Sequence, residues 1–177
     1  MQGERRMQNA ECRTWCGRRP SRALLLVGVV VSLVSCGDVV SPPSSDGELS
    51  ATIGASGFTA TTVFAEFDES VFTMSALEEG SSGPRSITIT IRRMEQAGTY
   101  DLALSGNAGG YAEAVSEATQ SWLCATSQGA GSVVITELSS ARIAGTFSFS
   151  APALITSGAM GTKVVSSGSF DVKPWRE

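Results

Sequence analysis

The chain contains no histidine. That removes the commonest general base, the usual nucleophile triads and the usual zinc ligand set. Lysine is almost as scarce: Lys163 and Lys173 are the only two, both near the C-terminus and both expected at the surface. Serine–lysine chemistry would need one of them buried beside a serine. Residues 106–110, Gly-Asn-Ala-Gly-Gly, lack the lysine and hydroxyl residue of a phosphate loop and read as a flexible connection. No apolar run approaches the roughly 20 residues that a membrane-spanning helix needs.

What is present begins with an arginine-rich start: Arg5, Arg6, Arg13, Arg18, Arg19 and Arg22. Residues 23–34 follow as an apolar run of twelve, Ala-Leu-Leu-Leu-Val-Gly-Val-Val-Val-Ser-Leu-Val. Charge, apolar stretch and small residue in that order make an export signal. The run closes on Leu33-Val34-Ser35-Cys36. A small residue before a cysteine suits a peptidase with a narrow pocket, and the thiol is the nucleophile that accepts a diacylglyceryl group. The segment resembles bacterial lipoprotein signal peptides. The resemblance implies cleavage before Cys36, lipidation of Cys36 with palmitate-type acyl chains, and a mature chain held on a bacterial membrane. Arg18-Arg19 lacks the hydrophobic residues that the twin-arginine route expects after it. Gly37, not aspartate, follows the cysteine. By analogy with such lipoproteins, the outer membrane is the expected destination where there are two.

Removing residues 1–35 takes six arginines and two glutamates from totals of 13 basic and 17 acidic residues. The mature chain keeps seven basic and fifteen acidic side chains, a formal charge of −8. An acidic surface argues against nucleic acid and against anionic lipid headgroups. The cysteine count shrinks in the same way. Cys12 and Cys16 leave with the signal, Cys36 is acylated, and Cys124 remains alone. In Ser121-Trp122-Leu123-Cys124-Ala125 alternation puts Trp122 and Cys124 on one face, so Cys124 is expected as a buried, inert thiol.

Residues 37–47 are rich in Ser, Pro, Gly and Asp and form the expected tether. Fully extended, those eleven residues span about 40 Å. From residue 48 the period becomes two. Ile87, Ile89 and Ile91 alternate with Thr88, Thr90 and Arg92. Tyr100, Leu102 and Leu104 alternate with Asp101 and Ala103. Ile143, Gly145, Phe147 and Phe149 do the same, and Val164, Phe170 and Val172 share a parity. Further strands are expected at 49–54, 58–67, 70–77, 119–126 and 132–138, with breaks at 78–84, 97–98, 106–110, 128–131 and 156–161. Only residues 111–119 have a helical composition, for about two turns. The fold class is therefore all-β: an antiparallel sandwich or small barrel of about 8–9 strands over residues 48–175, preceded by a signal helix and a flexible tether.

Gly131-Ser132-Val133-Val134-Ile135-Thr136-Glu137-Leu138, then Ile143-Ala144-Gly145-Thr146-Phe147-Ser148-Phe149, then Gly168-Ser169-Phe170 resemble a group of small bacterial lipoproteins of unknown function. Gly98-Thr99-Tyr100 matches a Gly-Thr-Tyr that the group often carries. The chain departs from the group at Phe58, where tryptophan is common, and at Ala97, where proline is. The resemblance implies an all-β lipoprotein domain and no activity.

The remaining candidates for chemistry are few. Glu66 and Asp68 share a strand face with Glu69 beside them. Paired carboxylates serve glycoside cleavage, and three acidic groups serve calcium, yet a charged sheet edge explains the trio more simply. Trp122, Trp175, Tyr100 and Tyr111 are the rings able to stack on a ligand, with Trp175 expected to be exposed. The sequence thus predicts a non-enzymatic, lipid-anchored protein of the bacterial cell envelope. It has no catalytic or metal residue and no cofactor, it does not bind nucleic acid, and its ligand is unassigned. Its role would be binding or assembly at the envelope surface, with an envelope protein or a small molecule as partner. The alternatives are a barrel that carries a small apolar molecule and, behind it, a carboxylate-dependent glycan hydrolase.

Overall fold

The computed structural model describes residues 46–116 and 118–175. The expected signal helix, Cys36 and the tether up to residue 45 lie outside the described residues. Eleven strands are present: β1 (Gly47–Ile53), β2 (Ser56–Thr59), β3 (Thr62–Asp68), β4 (Val71–Gly80), β5 (Gly83–Ile91), β6 (Gly98–Asp101), β7 (Ala108–Val115), β8 (Ala118–Ala125), β9 (Ala130–Leu138), β10 (Ile143–Pro152) and β11 (Thr162–Val172). They form two antiparallel sheets, in the orders β2-β1-β11-β10-β9-β6 and β3-β4-β5-β7-β8. The architecture is a β-sandwich.

The alternating residues supply its core. Ile87, Ile89 and Ile91 of β5 are fully buried, facing Phe147, Phe149, Val165 and Phe170 of the other sheet's strands within one apolar cluster. Phe72 of β4 stacks on Phe170 of β11 at 5.9 Å between ring centroids, directly across the gap. Burying a ring of this size contributes roughly 1.5–3 kcal/mol over leaving it exposed.

The three pieces of the C-terminal motif are explained by strand register. Gly131 of β9 lies opposite Phe149 of β10, and Phe147 of β10 opposite Gly168 of β11. Gly145 of β10 lies opposite Phe170 of β11. Each glycine is thus the floor under a phenylalanine. A methyl group on Gly168 would meet the Phe147 ring at 2.5 Å, and one on Gly145 would strike the Val134 carbonyl.

Several expectations change. The described residues form eleven strands rather than 8–9, and Leu104, in parity with buried Leu102, is exposed beyond the end of β6. The single strand 58–67 is two, because the chain leaves one sheet after β2 and enters the other as β3. The 111–119 segment is not helical: Tyr111 and its neighbours lie in β7, paired along its length with β8. Its alanines and glutamates favour a helix in isolation, but sheet pairing and burial of Tyr111 override that weak preference. Residues 106–110 are not slack either. Buried Asn107 accepts a hydrogen bond from the Arg92 N–H and donates one to the Asp101 carbonyl, and Ala108 already begins β7. Finally, Val164 does not share a face with Phe170. Ser167, at φ 50°, is an extra residue in β11 relative to both neighbours, and this bulge reverses the alternation. Val165 is buried and Val164 is exposed.

Sheet edges are tied across the sandwich. On β4 and β5, Glu78 and Arg85 stand opposite each other as an ion pair. Glu78 accepts from the Thr59 N–H at 2.8 Å and Arg85 donates to the Gly57 carbonyl at 2.7 Å, gripping edge strand β2 of the other sheet. At the C-terminus, the Trp175 N–H donates to the Ala65 carbonyl and the Phe67 N–H to the Trp175 carbonyl. The end of the chain therefore covers edge strand β3.

Candidate functional site

The richest polar cluster lies where β7 and β8 meet the start of β11. Pairing sets Tyr111 directly opposite Trp122, with ring centroids 5.6 Å apart. Glu113 follows Tyr111 on the same face, two residues along. Lys163 reaches over from β11. Its ammonium donates to Glu113 Oε1 at 2.8 Å and lies 4.7 Å from the Trp122 ring centroid. The Tyr111 hydroxyl donates to Glu113 Oε2 at 2.6 Å. Lys163 is thus half-buried and paired, not the free surface lysine that its place in the sequence suggested.

The electrostatics follow from these contacts. Burial pushes the Glu113 carboxyl up. The hydrogen bonds from Lys163 and Tyr111, with the charges of Lys163 and Arg85, outweigh it and hold the group below its ordinary value. Burial, then the bond to ionised Glu113, pushes the Tyr111 phenol well above its ordinary range. A cation seated on two aromatic faces and a carboxylate makes a cross-sheet clamp.

The clamp continues into the β10–β11 connection. The Trp122 indole N–H donates to the Met160 carbonyl at 3.2 Å. A 3-10 turn, Ile155–Ser157, carries the chain past β8. The Leu154 N–H donates to the Ser121 carbonyl, and the Ser121 N–H donates to Ser157 Oγ at 3.0 Å. This connection covers the β8 edge and buries its own Ala159. It holds Ile155 and Met160 outward, 91% and 86% exposed. The sequence marks neither residue: Met160 falls in the 156–161 stretch, which reads only as a break, and Ile155 lies just before it.

The residues singled out by sequence are scattered. Cys124 is buried on the same face as Trp122, and burial, with the Asp101 charge, raises its thiol. Glu66 is half-buried on β3 beside the backbone of Trp175, while Asp68 and Glu69 are exposed at the turn into β4. Among the described residues, no three acidic or cysteine side chains are placed to hold a metal ion. Tyr100 is half-buried, its hydroxyl donating to the Gln96 carbonyl at 2.6 Å. Trp175 is 37% exposed and Lys173 is exposed. Arg142 is bonded to both Asp171 carboxylate oxygens and to Glu137 on the outer face, which holds Asp171 below its ordinary value. A shallow depression of about 330 Å³ on that face is lined by Ser132, Val134, Thr146, Ser148, Ser167 and Ser169. Phe147 also lines it, and it offers hydroxyl groups but no charged side chain.

No curated protein and no solved structure matches this chain. One family model does, over residues 46–173, which are the limits of the sandwich to within a residue or so. The chain belongs to the family described as a domain of unknown function (DUF6252).

Proposed function

We propose that this protein is a lipid-anchored component of a bacterial envelope, its sandwich acting in binding or assembly at the membrane surface. The observation that carries the reading is Leu33-Val34-Ser35-Cys36 at the end of an apolar run behind six arginines. The fold supports it in one respect: β1 starts at Gly47, so a Pro- and Ser-rich segment of ten residues separates Cys36 from the first strand. Cleavage before Cys36 would leave the whole family domain intact.

A binding role is favoured over a carrier by the packing between the sheets. Phe147 lies 6.3 Å from both Phe149 and Phe170, and Phe170 stacks on Phe72, so four rings occupy the middle that a ligand would need. The glycan-hydrolase alternative loses support at β3, where Glu66 is half-buried beside the Trp175 backbone while Asp68 is exposed at the turn into β4.

Cys36→Ser tests the anchor. Cells expressing the native chain should incorporate labelled palmitate into a processed, membrane-bound protein. The variant should accumulate as uncleaved precursor or release the domain. A processed variant that stays on the membrane as tightly as the native protein would refute the proposal.

A further inference from the structure

Two of the most exposed apolar side chains among the described residues, Ile155 and Met160, share one short connection. Single exposed apolar residues are ordinary. This pair differs in how its backbone is arranged. The Leu154 carbonyl accepts from the Ser157 N–H and hydroxyl, and the Ile155 carbonyl from the Gly158 N–H. The Gly161 carbonyl accepts from the Ala153 N–H, the Met160 carbonyl from the Trp122 indole, and the Leu154 N–H is spent on Ser121. Many backbone polar groups of the turn are thus paired, while the side chains of Ile155 and Met160 point out. Charge is missing as well: residues 143–162 hold no acidic or basic side chain over twenty positions. The next residue, Lys163, is neutralised by Glu113.

A convex tip of this kind needs an acceptor that moulds to it. A protein groove must be complementary in shape, whereas the acyl boundary of a bilayer deforms. An unpaired N–H or C=O costs several kcal/mol there, and this turn has already paired many of its own. The position along the molecule is compatible. The tether joins at Gly47, opposite Val172, while the turn leads into Thr162, ten residues along β11. At strand spacing that separation is about 33 Å, within the tether's reach of about 40 Å.

We propose that the 154–160 turn is a second membrane contact, with Ile155 and Met160 inserted at the acyl boundary of a zwitterionic bilayer. The sandwich then lies along the leaflet, fixed at both ends of β11. Its placement on the same leaflet as Cys36 rests on the anchor proposed above; insertion of the turn does not. Because the tether keeps the turn near the surface, weak intrinsic affinity suffices.

The test uses the full chain carrying Met160→Cys, labelled with the environment-sensitive fluorophore NBD and reconstituted with phosphatidylcholine vesicles that contain spin-labelled acyl chains. A blue-shifted emission that the spin labels quench several-fold is expected, and Ile155→Asp in the same labelled chain should reduce the quenching by at least half. Solvent-like, unquenched emission from a chain that floats with the vesicles would overturn the insertion and leave the anchor standing. A blue shift that the spin labels do not quench would also overturn it, because the turn would then be seated on protein. If the chain does not float, the anchor reading falls, and quenching at high vesicle concentration decides the turn by itself.

Discussion

Gly168 has no room for a methyl group, because the ring of Phe147 lies where the methyl would go. The glycine–phenylalanine motif of β9, β10 and β11 is therefore a packing device, each glycine matched to a phenylalanine on the neighbouring strand. Overpacking such a site costs typically 1–3 kcal/mol. Gly168→Ala is expected to lower stability by about that amount in a denaturant titration, while Ser169→Ala on the outer face should change it little. The Tyr111–Glu113 pair adds a pH dependence at the same scale. The phenol has a higher pKa folded than unfolded, so its contribution is complete below the unfolded value of about 10 and is lost as pH rises through the folded one. The Glu113 carboxyl is depressed, so its contribution is complete above about pH 4.3 and is lost on acidification below that. Asp171 adds to the acid limb in the same sense, screened by solvent. Tyr111→Phe should flatten the alkaline fall in the urea midpoint above about pH 10 and shrink the acid fall.

Individual strands were legible in the sequence wherever their alternation was uninterrupted. Ile87, Ile89 and Ile91 announced β5, and Phe147 and Phe149 announced β10. Elements became illegible where one residue broke the period. Ser167 is a single insertion into β11, and no composition signal marks it among the serines around it. A similar shift falls between Ala144 and Gly145, where β9 uses two residues against one, so Ile135 is buried but Leu138 is the next to turn inward. Residues 111–119 misled because alanine and glutamate report helix preference, whereas the strand is fixed by its hairpin with β8 and by pairing on its other side with β5, more than twenty residues earlier. The candidate site was half legible: alternation put Trp122 and Cys124 on one face, but nothing local brings Lys163 onto Trp122. Strand order gives the element-scale prediction. β11 lies between β1 and β10, so a chain ending at Gly161 loses the middle of its larger sheet. It should show little native strand signal in far-ultraviolet circular dichroism and rapid amide exchange in β1; a folded, protected β1 would contradict the pairing.

At the scale of the whole molecule, the family domain and the sandwich share their boundaries to within a residue or so, and the proposed mature chain contains both. The covered edges also share a purpose. β2 is gripped by Glu78 and Arg85, β3 is covered by the chain end, and β8 by the 3-10 turn. Open edges would invite pairing with other copies, a hazard for proteins crowded on one surface.

The pairing of β1 with β11 also sets a timetable. The first strand of the domain can pair early with β2, but its other neighbour, β11, is the last strand, so the larger sheet cannot close on a partly delivered chain. Such long-range pairing folds slowly. If the chain is exported as proposed, slow closure would be useful: the polypeptide would stay extended while it is passed through, and the larger sheet would lock only after β11 had crossed.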